Sequence, residues 1–154
     1  MAVLVESSDV IDGLYHSETP RDGGALHAQV FTVAVPEELS IAGTIRLARL
    51  PQHAVLLPVL SWIRCLPATV ALTVSLGWEA YTDMETGLTV AAAPTGLGTT
   101  LTIAAGTPVL FSAFPAAPIP RTFKGPAVIT CLTAGAAIAA AGVVSGCIVY
   151  ANHY

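Results

Sequence analysis

The chain has 154 residues, of which 54% are hydrophobic and only 10% charged, with 13 glycines and 11 prolines. That is enough chain for one domain, but it lacks the Lys, Glu and Arg that solvent-facing helices need, so the material suits Thr-, Ser-, Ala- and Gly-rich strands, or a membrane. A formal charge of −4 with six Lys and Arg gives poor purchase on phosphates and excludes nucleic acid as the partner.

The charge is unevenly spread. Residues 1–38 carry seven acids (Glu6, Asp9, Asp12, Glu18, Asp22, Glu37 and Glu38) against Arg21, and no acid follows Glu85. Residues 6–24 hold Ser, Asp, Gly and Pro without a sustained period and end in the turn signal PRDGG. An extended acidic arm over 1–24 is expected, ahead of a strand domain over 25–154. Such an arm is either a solvated segment or one that docks on a partner. The first residues have no basic region, and their apolar run stops at Glu6, which argues against a secretory signal.

Ala25 to Val35 alternates, with His27, Gln29, Phe31, Val33 and Val35 on one side, and Pro36 closes it. Ile41–Leu50 reads as a second strand, in which Arg46 and Arg49, three apart, face opposite sides. His53–Leu66 is nearly continuous apolar sequence broken by Pro58, expected to be a buried strand with a bulge or an edge. Thr69 to Glu79 is the longest clean alternation, with Val70, Leu72, Val74, Leu76 and Trp78 on one face. It predicts a half-buried strand around which the rest is arranged.

An acidic connection, YTDMETG, comes next. Leu88–Ala93 and Thr99–Ala105 are then expected as strands flanking the loop PTGLG, and Pro108–Phe114 as another. The proline-dense PAAPIPRTFKGP reads as a crossing loop. Ala127–Thr133 and Val143–Ala151 are expected to close the chain as a hairpin. That makes about eight short antiparallel strands with turn signals about every 8–12 residues, the pattern of an all-β sandwich or jelly roll.

The uncharged stretch at 127–150 is also long enough for a membrane-spanning helix of about 20 residues. The hairpin is preferred because the rest of the chain reads as β, and because the stretch lacks the basic flank of a membrane anchor.

Candidate chemistry is sparse. His16, His27, His53 and His153 have no neighbour that would complete a metal site, so no metal or cofactor is expected. Cys65, Cys131 and Cys147 form no CxxC and read as buried free thiols, with a Cys131–Cys147 bridge open if their segments pair. Gly96 and Gly98 read as turn glycines because no helix pattern succeeds them. Asp83 and Glu85 could hold a cation at a loop, but a solvated turn fits two carboxylates better. Trp62 and Trp78 read as core aromatics. No catalytic motif is present.

Three stretches, Thr44–Pro51 (TIRLARLP), Ala68–Trp78 (ATVALTVSLGW) and Ala127–Tyr150, stand in an order that resembles the small capsid proteins of tailed bacteriophages that decorate or cement the head. The resemblance covers about residues 39–154. It implies a jelly-roll β-sandwich without catalysis, bound outside the major capsid shell as a dimer or trimer. Its implied partners are the major capsid protein and itself, its location is the capsid exterior after synthesis in the host cytoplasm, and no membrane is involved. SLGW, and a proline-rich stretch at 115–126 longer than expected, depart from the family pattern. The expected capsid or subunit contacts are Glu6, Asp9, Asp12, Tyr15 and Arg21 in the arm, and Pro118, Pro120, Arg121, Phe123 and Lys124 in the crossing loop. Competing readings are a small membrane protein anchored at 127–150 and a glycan-binding jelly-roll module.

Overall fold

The computed structural model describes residues 4–5, 26–35, 43–66, 72–104, 106–115, 121–134 and 142–152. Most of them are in strands: β1 (Leu4–Val5), β2 (Leu26–Val35), β3 (Thr44–Leu50), β4 (Ala54–Leu56), β5 (Trp62–Leu66), β6 (Leu72–Trp78), β7 (Tyr81–Thr82), β8 (Thr89–Val90), β9 (Ala93–Ile103), β10 (Val109–Leu110), β11 (Arg121–Phe123), β12 (Ala127–Ala134) and β13 (Gly142–Asn152). A single turn of 3-10 helix, Phe111–Ala113, comes after β10. One sheet has the order β1-β3-β12-β6-β9; a six-stranded sheet runs β10-β5-β13-β4-β11 with β2 on the remaining edge of β13; β7 and β8 form a separate hairpin. The two large sheets face one another over one apolar core, which makes the chain an all-β sandwich. Among the described pairs all are antiparallel except β1 with β3.

The alternation in β2 is read out directly. Gln29, Phe31, Val33 and Val35 are buried, and Leu26, Ala28, Val30, Thr32 and Ala34 are exposed. Its ten residues pair with β13 from Val35 opposite Gly142 to Leu26 opposite Ala151. The other edge of β13 carries β5 and then β4. This makes β13, rather than the 69–79 stretch, the spine of the six-stranded sheet.

The strand β6 sits inside the other sheet, between β12 and β9. The expected half-burial does not hold, because Ser75 and Gly77, on the small-residue face, are buried as fully as Val74 and Leu76. The cause lies in β9, which bulges twice against β6 and folds Ala93 and Pro94 over Gly77. A Cβ at residue 77 would collide with the Ala93 carbonyl oxygen and the Pro94 backbone. Residues 69–71, the start of the predicted strand, lie outside the described residues.

Further expectations are corrected. PTGLG is no loop between strands; it is the body of β9. Pro108–Phe114 is a two-residue strand and then the 3-10 turn. The crossing loop contains a strand, β11, held by β4. Arg46 and Arg49 share the outer face of β3, because a bulge leaves Leu47 without a partner between Arg46, opposite Thr130, and Ala48, opposite Ile129. The inserted residue turns Leu47 and Ala48 both inward and shifts the phase of Arg49 and Leu50 beyond it.

The last two strands do not pair as a hairpin. β12 lies between β3 and β6, whereas β13 belongs to the opposite sheet. Each is paired along both edges with strands of its own sheet, so the two lie on opposite sides of the sandwich. Cys131 and Cys147 accordingly sit in different sheets, and both are free thiols, as is Cys65. The alternative of one membrane helix over 127–150 is overturned by the same two strands, and among the described residues no helix is long and apolar enough to cross a membrane.

His53–Leu66 keeps its expected continuity in an altered form. Its two strands run along the same edge of β13, and residues 57–61 make an excursion between them. Ser61, fully buried, stitches the excursion shut: its Oγ donates to the Leu57 carbonyl at 3.0 Å and accepts from the Val149 N–H at 2.9 Å.

Candidate interaction surfaces

The expected contacts separate into three groups. Glu6, Asp9, Asp12, Tyr15, Arg21, Pro118 and Pro120 lie outside the described residues. Phe123 is a core residue, wholly buried, with its ring edge-on to Trp78 at 5.9 Å and to Tyr81 at 5.8 Å. The inward phase of β11 takes its side chain off the surface. Arg121, two residues earlier and on the same side of the strand, lays its guanidinium over the Trp78 ring at 3.8 Å and covers the sandwich edge as a cation–π contact.

Lys124 is exposed at one end of the sandwich, where three turns meet. Its Nζ donates to Glu85 Oε2 at 2.8 Å, and Glu85 Oε1 lies 3.8 Å from His53 Nδ1. Glu85, by hydrogen bond and by charge, holds the Lys124 ammonium above the ordinary lysine range. The YTDMETG turn is organised by Asp83, whose Oδ1 accepts the N–H groups of Glu85 at 2.8 Å and Thr86 at 3.1 Å. Gly87, at φ +70°, closes the turn by donating to the Asp83 carbonyl. Burial opposes the charged form of Asp83, but those two N–H groups and the nearby Lys124 outweigh it and hold the carboxyl below its ordinary range. Both carboxylates are therefore committed to this turn, and among the described residues no group of three or more His, Cys, Asp or Glu could hold a metal ion.

The larger surface is the outer face of the six-stranded sheet. One cross-strand row, Val30–Cys147–Trp62–Leu110, spans four strands. The next row brings Thr32, Ser145 and Arg64 together. Val30 is 56% exposed and Leu110 45%, and Val59 and Leu60 on the neighbouring excursion are also exposed. Arg64 is the lone charge among the described outward positions of this sheet. Its Nη2 reaches Ser145 Oγ at 3.4 Å, its Nε is buried without a hydrogen-bond partner, and its guanidinium lies 6.0 Å from the Trp62 ring. Trp62, Arg64, Pro108 and Leu110 line a cleft of about 360 Å³.

Sequence reasoning placed Trp62 in the core and passed over Arg64. The signal was present in the alternation Trp62–Ile63–Arg64–Cys65: a strand that points Arg64 outward must point Trp62 the same way. The thiols offer little nucleophilic chemistry. Desolvation raises Cys65 to about 11, Cys131 well above the ordinary thiol value, and Cys147 upward as well, so all three stay protonated near neutrality.

No family model matches the chain, and no curated protein matches it in sequence. Two solved structures match it in fold. A chain of the capsid of Ralstonia phage GP4 is 17% identical with a TM-score of 0.69, and the alignment covers 99% of both chains. A chain of the cyanophage Pam1 capsid asymmetric unit is 18% identical with a TM-score of 0.58, over 85% of this chain and 87% of that one. The chain shares its fold with both. At such identities the likeness concerns the arrangement of strands, and in the first case it extends over nearly the full length of each chain.

Proposed function

We propose that this chain is a non-enzymatic structural protein of a virion, a capsid decoration or cement protein. It binds the outside of the major capsid shell as a jelly-roll sandwich and stabilises the head. The observation that carries the reading is the likeness in fold, over nearly the full length of both chains, to a chain of the capsid of Ralstonia phage GP4. The chemistry of the surface supports it. A sheet face whose described outward positions are small and apolar with one charge is costly to leave in water, and it is what an interface centre tolerates. A protein present in many copies on a shell also gains avidity from modest individual contacts. The acidic arm, residues 1–24, and the proline-rich segment, residues 115–126 apart from its core residue Phe123, are assigned to contacts with neighbouring subunits, with the protein itself forming a dimer or trimer.

The test is co-sedimentation of the purified chain with shells of the major capsid protein that lack it. Saturable binding and a raised rupture temperature of the shell are the expected results. Deleting residues 1–20 should leave a folded domain and weaken shell occupancy sharply. Absence of saturable binding by the full chain would overturn the reading, and undiminished occupancy after the deletion would remove the arm from it.

A further inference from the structure

The cleft beside Arg64 combines two features that rarely coexist on a surface left open to water. Its walls are apolar, and the guanidinium set among them has a buried Nε with no acceptor. A buried donor left without a partner costs more than a made hydrogen bond returns, and a rotation of the side chain that presents Nε with an Nη to the cleft would suit a carboxylate. The fitting ligand is therefore a carboxylate flanked by apolar side chains. A second copy docking face to face through a two-fold axis would not supply one. Whatever residue it set against Arg64 would not be a carboxylate, because the described outward positions of this sheet carry no acid.

The chain's own acids narrow the source. Glu79 gives both oxygens to Arg46 at 2.6 and 3.0 Å, Asp83 caps its turn, and Glu85 pairs with Lys124. The other seven of its ten acids lie in residues 6–38. Among them Asp12 has the complementary setting, Val10-Ile11-Asp12-Gly13-Leu14-Tyr15: one carboxylate with apolar residues on both sides. The length of this segment also suits it to reach. β1 and β2 are in contact, so few residues would close the gap between Val5 and Leu26. The 20 residues between them, 6–25, have a contour of about 66 Å.

We propose that the arm of one copy docks in the Trp62–Arg64–Leu110 cleft of a second copy, with Asp12 as the partner of Arg64 and the flanking apolar residues on the Val30–Cys147–Trp62–Leu110 row. The choice of a second copy rests on the reading of the chain as a shell protein that must contact itself laterally. The contact is heterologous, arm to cleft, and closes as a ring when the rotation allows.

The experiment uses full-length chains in sedimentation velocity, without shells. Wild-type chain should self-associate, and Arg64→Glu or Asp12→Arg should each weaken that association by about thirtyfold or more. The double variant should recover it through the reversed pair. An equimolar mixture of the two single variants should also recover association, because one contributes an intact arm and the other an intact cleft. Circular dichroism and melting check that the variants fold. Asp12→Arg leaves the described sheets untouched, so it remains informative even where Arg64→Glu fails to fold.

A monomeric wild type overturns the proposal, as does undiminished association of Asp12→Arg. Recovery in the double variant but not in the mixture also overturns it, because the arm then occupies the cleft of its own chain. Shell binding is scored separately. Self-association with this pattern but without shell binding supports the arm contact and sinks the capsid reading; shell binding with arm variants that associate normally does the reverse.

Discussion

At the scale of single residues, Asp83 shows how a short polar side chain fixes a loop that carries little packing. Its carboxylate accepts two backbone N–H groups, and the folded chain therefore releases the proton more readily than the unfolded chain, whose ordinary value is about 3.9. The stabilisation is complete above that value and is lost as pH falls through the lower, folded-state value. Melting temperatures measured against pH should show wild type above Asp83→Asn near neutrality, with the gap closing below about pH 4. A gap that stays constant into acid would mean that the charge is irrelevant to the turn. Gly77 makes the opposite point, since its role is to leave space for the Ala93–Pro94 backbone. Gly77→Ala should cost about 3 kcal/mol in denaturant unfolding, at the upper end of overpacking costs, because backbone cannot rotate away as a side chain can. A loss below about 1 kcal/mol would show that β9 can lift off β6 cheaply.

At the scale of elements, the departures from simple alternation are where the architecture is decided. The bulge at Leu47 brings Arg49 onto the face already occupied by Arg46, whose Nε donates to Glu79 Oε1 at 2.6 Å. The excursion at 57–61 lets one apolar run serve as two strands along β13, and it is tied to later elements by Phe111 and Ser112 N–H groups donating to the Ser61 and Pro58 carbonyls. Ser61 is the clasp. Ser61→Ala should destabilise by about 1–3 kcal/mol, because it leaves the part-buried Val149 N–H without its acceptor. Hydrogen exchange should localise the change, with Val149 losing protection while β12 keeps its own.

At the scale of the whole molecule, the two sheets differ in what they leave uncovered. The described outward positions of the six-stranded sheet are nearly without charge, and Cys147 sits in their central row between Val30 and Trp62. Cys65 and Cys131 are buried, and Cys147 is only partly so. Alkylation of the native, unassembled chain should therefore modify Cys147 before either of the other thiols. Bound to shells, or associated through the arm, the same residue should be protected. Equal reactivity in both states would mean that this face stays open in the assembly.

How much of this was legible beforehand depended on whether the information was local. The alternation in β2 gave its inward and outward residues correctly, because a lone strand has period two whatever it packs against. The lack of charge pointed to strands for the same kind of reason: side-chain chemistry carries it without a partner. The Trp62–Arg64 face of β5 was also legible, had the phase been traced through Arg64. The pairing of strands was not. β12 and β13 read as a hairpin because both are apolar and close in sequence, yet which sheet each joins is settled by distant strands: β3 and β6 for one, β2, β4 and β5 for the other. Bulges are invisible for the same reason, since an extra residue is extra only relative to the partner it faces. By itself the sequence determined the strand-rich class, the scarcity of charge and the concentration of acids near the start of the chain. Only the tertiary structure decided that Phe123 is core, that Arg121 covers Trp78, and that Arg64 stands as the one charge among the described outward positions of an apolar sheet face, because each depends on which residues the fold brings together across many positions of chain.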